Sequence, residues 1–149
     1  EIYRGLEIMK EGKMKKLIAV ILVTVFTSGI CFAASPEKKA KIAAKSWFEL
    51  VDAKNYAKSY DDAASFFKTM VKKDDWINAL TGLRSMLGPV ESRQLVSAKF
   101  ETKMSGAPDG EYVVLVYKTE FEKKADAREV IVPMLDSDGK WRVSGYHIQ

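Results

Sequence analysis

Residues able to do chemistry are few. His147 is the only histidine and Cys31 the only cysteine among 149 residues. A histidine base needs a serine or thiol nucleophile and an orienting carboxylate converging on it, and no nucleophile-elbow motif is present. His147 instead shares the face of a terminal β run with Trp141, Val143 and Gly145, which reads as a packed or surface imidazole. Asp136-Ser137-Asp138-Gly139 resembles the start of a calcium loop, but no acidic residue follows it. It reads as a hairpin turn. Gly82, Gly88 and Gly106 are isolated, so there is no glycine-rich phosphate cradle. Acid–base catalysis would call on a buried carboxyl group. Asp52 and Asp62 are the candidates, and both read more simply as a helix cap or a solvated charge. The expectation is therefore no metal, no cofactor and no catalytic residue.

The richer set is aromatic and cationic. Tyr60, Trp76, Tyr117 and Trp141, with Arg84 and Arg93, are the candidate ligand-binding residues. If the rings line a cavity and an arginine points into it, the site suits an apolar molecule carrying a carboxylate. The competing reading makes the rings core and ties the arginines to carboxylates such as Glu91 or Asp75.

Helices and strands must position these groups. Ser35-Pro36 opens a helix in which Ala40, Ala43, Ala44, Trp47, Leu50 and Val51 recur at steps of three and four residues. A second helix is expected from about Asn55, with Tyr56, Tyr60, Ala63, Ala64, Phe67 and Met70 as its stripe. A third follows Asp74, with Trp76, Leu80, Leu83 and Leu87 in line, and stops at Gly88-Pro89.

From Glu91 the apolar period changes to two. Gln94, Val96, Ala98 and Phe100 fall on one side of a strand, and Arg93, Leu95, Ser97 and Lys99 on the other. Gly106-Ala107-Pro108-Asp109-Gly110 and Asp136 to Gly139 are turns. Between them, Tyr112 to Tyr117 reads as a central strand. Arg128 to Val132 reads as a third, with Pro133 marking a bulge or an edge, and Trp141 to Ile148 as a fourth. The expected fold is α+β, three N-terminal helices packed on a curved four-stranded antiparallel sheet. That order of elements is similar to NTF2-like and cystatin-like folds, an analogy that carries no function by itself.

The N-terminal stretch has a different character. Met14-Lys15-Lys16, an apolar run from Leu17 to Phe26, and a small-residue end at Ala33-Ala34 are the parts of a secretory signal peptide. Cleavage after Ala33 is expected, with a periplasmic or secreted product, and residues 1–13 are then an untranslated leader. Retention of the run as a membrane anchor, or lipid modification of Cys31, are the alternatives. The run is shorter than the ~20 residues of a spanning helix, and Ile30 precedes Cys31 where a small residue is usual. Residues 34–149 then form a single domain without cysteine, which must be held by its core alone. Removing residues 1–33, with five basic and three acidic side chains, lowers the net charge from +4 to +2. Such a balance makes no electrostatic case for nucleic acid.

Several segments carry a family resemblance. They are Trp47-x-x-Leu50-Val51-Asp52-x-x-x-Tyr56-x-x-Ser59, then Trp76 with Arg84-x-x-Leu87-Gly88 and Arg93, then Gly106 to Val114, and finally Asp138-Gly139-x-Trp141-Arg142-Val143-x-Gly145-Tyr146. Together they resemble the bacterial family known as domain of unknown function 4019. The resemblance implies a small exported domain with no assigned activity and transfers no catalytic residue. The expected function is a non-catalytic binding or interaction module for an unknown small molecule or protein. The alternatives are a small NTF2-like enzyme acting on an apolar carboxylate, or a structural partner that dimerises through its sheet.

Overall fold

The computed structural model describes residues 34–149, and the leader, signal-peptide and Cys31 expectations lie outside the described residues. Helix α1 spans Pro36–Asp52. Ser35 caps it by accepting the Lys38 N–H at 3.3 Å, and proline occupies the first helical position, where no donor is lost. Its buried side chains are Ala40, Ala44, Trp47, Phe48 and Val51, the stripe that its spacing predicts. Lys54 then turns the chain in the left-handed region at φ 59°.

The expected second helix is two. Helix α2 covers Tyr56–Asp61 and helix α3 covers Ser65–Met70. The break comes from the sheet. Ala64 is extended, and its N–H donates to the Val143 carbonyl at 2.8 Å, so the chain leaves the helix to pair with the last strand. Ala63 and Ala64 are fully buried, and their small side chains permit that approach. Asp136 then caps α3 from the far end of the chain, its Oδ2 accepting from both the Ser65 N–H (2.9 Å) and the Ser65 hydroxyl (3.1 Å). Apolar periodicity carries no sign of a cap supplied from 71 residues away. Helix α4, Lys73–Leu87, ends at Gly88. Glycine is required there, because φ is +78° and an added Cβ would meet the Glu122 carboxylate at 2.9 Å.

Four strands follow: β1 Val90–Glu101, β2 Tyr112–Phe121, β3 Lys124–Leu135 and β4 Trp141–Ile148. They form an antiparallel meander in the order β1-β2-β3-β4, so the fold is α+β. Pro133 stands at a register shift between Val132 and Pro133, the bulge that lets a proline sit inside a sheet. A second bulge corrects the expected sides of β1. Leu95 pairs with Tyr117 and Ala98 with Leu115, so β1 carries one residue more than β2 across this interval. A strand's side chains alternate, and an inserted residue reverses the order beyond it. Arg93 and Leu95 therefore share the helix-covered face with Ala98 and Phe100, while Val96 is pushed outward and is 65% exposed.

The helices cover one face of the sheet. The core between them gathers Trp47, Phe48, Val51, Trp76 and Leu80 with Val113, Leu115, Ile131 and Val143. Asp136 also ties this arrangement to pH. Burial opposes its charge, but bonds from Ser65 and Ser137 and the nearby Arg142 outweigh burial and hold the carboxyl below its ordinary value of 3.8. A depressed folded pKa stabilises the fold above the unfolded value, and that contribution is lost as pH falls toward the folded one. Thermal melts followed by circular dichroism should show the midpoint dropping once pH passes below 3.8. Asp136→Asn should lower the midpoint at pH 7 and flatten the acid limb. An unchanged limb would show that the cap contributes nothing.

Candidate functional site

Six side chains, one from each of six elements, meet between the helices and the sheet. Asp52 is the last residue of α1 and Arg84 lies in the last turn of α4. Arg93, Thr119, Glu129 and Tyr146 come from the four strands in order. Glu129 is completely buried. Its Oε2 accepts from Arg93 Nε at 2.6 Å and from the Thr119 hydroxyl at 2.6 Å, and its Oε1 accepts from the Tyr146 hydroxyl. Arg93 continues to Asp52, with Nη1 to Oδ2 at 2.8 Å and Nη2 to Oδ1 at 3.2 Å. Arg84 Nη2 closes the chain on Asp52 Oδ1. Two cations thus meet two anions, and the set is neutral.

Aromatic faces complete the two guanidinium sites. The Arg93 guanidinium carbon lies 3.8 Å from the Phe48 ring centroid, and that of Arg84 lies 5.1 Å from Phe121. Cations stacked on rings keep an attraction that survives removal from water. The Arg84 Nη1 has no hydrogen-bond acceptor among the described residues, so the ring face is its nearest compensation. Burial works against charge on Arg93, yet the bonds and charges of Asp52 and Glu129 outweigh it and hold the guanidinium firmly protonated. Burial first, then the Glu129 charge and hydrogen bond, push the Tyr146 phenol far above its ordinary range. Tyr146 is thus a fixed donor at neutral pH.

The candidate rings fall on the core side of this network. Trp76 donates from Nε1 to the Ser59 hydroxyl at 3.0 Å, and Trp47 donates to the Ser59 carbonyl at 2.9 Å. The Tyr60 hydroxyl donates to the Val71 carbonyl at 2.8 Å, and its ring packs on Phe67 at 6.0 Å. Tyr117 meets Phe48 edge to face at 5.4 Å. Trp141 is only half-buried and forms one wall of a recess of about 220 Å³ with Leu50, Asp62 and Lys140. The six candidates are therefore not the lining of one cavity. Arg84 and Arg93 do converge, through Asp52, and the partner carboxylates are Asp52 and Glu129 rather than Glu91 or Asp75.

A larger opening than this recess lies on the other side of the sheet. A groove of about 580 Å³ runs over Val96, Val116, Lys118, Asp126 and Arg128. It is open to solvent and lies away from the core of Val113, Leu115 and Ile131. Among the described residues no group of three or more histidine, cysteine, aspartate or glutamate side chains could hold a metal ion.

The sequence model of a family described as "Protein of unknown function (DUF4019)" matches residues 43–146. The chain belongs to the DUF4019 family. The matched span contains the whole network from Asp52 to Tyr146 and nearly all of the groove. Among curated proteins, none matches the chain. For this DUF4019 domain, sequence reasoning missed Glu129, and a signal for it existed. Glu129 stands two residues from both Ala127 and Ile131, buried positions of β3, and that spacing places its carboxylate on their covered face. The groove cations were invisible for a different reason, since only strand pairing brings Lys118 beside Arg128.

Proposed function

We propose that this protein is an exported, non-catalytic binding module, with the uncovered face of its sheet as the binding surface. The observation that carries this reading is the division of labour between the two faces. On the covered face, the buried Glu129 is engaged by arginine, threonine and tyrosine donors and the more exposed Asp52 by two arginines, an arrangement that builds structure and leaves no free base poised for proton transfer. On the uncovered face lies a groove of about 580 Å³, within the ~300–1,000 Å³ range of small-molecule sites. Export follows from the signal-peptide pattern of residues 14–33, with a periplasmic or secreted product beginning near Ala34. The order of helices and sheet supports an NTF2-like architecture for this module.

Mass spectrometry of the protein recovered from the periplasmic fraction tests the reading. The denatured mass should start at Ala34. Under native conditions extra mass should appear, and Val96→Glu should abolish it while leaving the melting temperature unchanged, because Val96 is 65% exposed. A native mass equal to the denatured one, or extra mass indifferent to Val96→Glu, would overturn the assignment of the surface.

A further inference from the structure

We infer that the groove on the uncovered face takes a small amphipathic monocarboxylate, its apolar body on Val96 and Val116 and its carboxylate between Lys118 and Arg128. The inference rests on the proposal that this face is the binding surface, and it adds the chemical class of the ligand.

The observation behind it is a pair of like charges. Lys118 and Arg128 are register partners across β2 and β3, so their side chains rise side by side from the same face. Like charges directly opposite one another on a sheet are destabilising. Exposed to solvent, the two cations also form a ready site of attraction for an anion. The protein supplies little: Lys118 reaches Asp126 only at 3.9 Å, with both side chains largely exposed, and Arg128 makes no ion pair with a described residue. This is the reverse of the covered face, where Arg84 and Arg93 each meet a carboxylate directly.

Charge and shape then narrow the ligand. The charged side chains of the groove are Lys118, Arg128 and Asp126, an excess of one positive charge. One carboxylate balances it, whereas a polyanion would bring surplus charge against Asp126. A guanidinium offers a planar fork that matches a carboxylate, and an ammonium adds a point charge beside it. The floor supplies the apolar half. The β1 bulge turns Val96 outward beside Val116, so the cations stand at the edge of an aliphatic surface. An apolar body with a single carboxylate fits both parts.

Two-dimensional amide NMR of the isotope-labelled protein, isolated from cells expressing the full reading frame, tests this with three probes of equal chain length. These are decanoate, decanol and decyltrimethylammonium, each kept below its micelle concentration. Decanoate should shift the Val96, Val116 and Arg128 amides saturably, with decanol about tenfold weaker or more and the cation weaker still. Lys118→Gln combined with Arg128→Gln should weaken decanoate about tenfold while leaving decanol unchanged. Both residues are exposed, so the variant should keep its melting temperature or raise it slightly as the like-charge pair is removed, and a fall would signal misfolding. Equal binding of decanoate and decanol at these amides would overturn the carboxylate assignment and leave the binding surface standing. Absence of all three from the groove, with Val96-dependent extra mass still present in the native spectrum, would also overturn the ligand class alone. Absence of both signals would overturn the ligand class and the surface together.

Discussion

Glu129→Ala should destabilise the domain by about 3–5 kcal/mol, the cost of removing one partner from a buried ion pair. Against a total stability of roughly 5–15 kcal/mol for an ordinary domain, that loss leaves the fold marginal. The reason lies in what stays behind. Arg93, whose side chain is only 14% exposed, keeps its charge but loses the Nε partner. The Thr119 and Tyr146 hydroxyls lose their acceptor at the same stroke. Glu129→Gln keeps an acceptor for these donors, and Arg93 retains Asp52, so that variant should lose markedly less. Urea denaturation of the three proteins measures the order, with equal slopes required for a fair comparison. A Glu129→Ala loss below about 1 kcal/mol would mean that water enters and solvates Arg93, and the network would then be an accessory to the core.

The same carboxylate marks the limit of what the linear sequence discloses. Helix stripes, the four-strand meander and the bulge at Pro133 follow from periodicity and turn chemistry, which are local properties of neighbouring residues. The splitting of α2 from α3 does not, because its causes are Val143 and Asp136, far along the chain. Arg93 was expected opposite Ala98 and Phe100 for a related reason. Strict alternation fails at Val96, and nothing in Gln94-Leu95-Val96-Ser97 announces an extra residue. With that bulge unseen, the arginine could not be placed facing Asp52 and Glu129. Arg84 and Arg93 stand out in the sequence as residues of interest, but their partners come from helix packing and strand register. Lys118 and Arg128 lie ten residues apart and become neighbours only through the β2–β3 pairing.

Network and aromatic core depend on each other, and Trp47 is where they join. Its ring lies 5.1 Å from Tyr146, 5.7 Å from Trp76 and 6.2 Å from Phe48. Tyr146 donates to Glu129, and Phe48 carries Arg93 on its face, so this one indole packs against two rings that hold the network. Trp47→Ala should therefore cost about 3–5 kcal/mol by cavity formation, and the Ser59 carbonyl loses its buried donor as well. Trp47→Phe separates the two contributions, since it refills most of the space and still omits the Nε1 donor. Its loss should approach the ~1–3 kcal/mol of an unsatisfied buried acceptor. Truncation of the half-buried Trp141 supplies the comparison at the rim, where solvent relieves the cavity, and Trp141→Ala should cost clearly less than Trp47→Ala. Equal losses at the two positions, measured by denaturant unfolding, would show that Trp47 acts only as bulk. The larger loss at Trp47 would place the centre of the fold where indole, phenol and arginine meet.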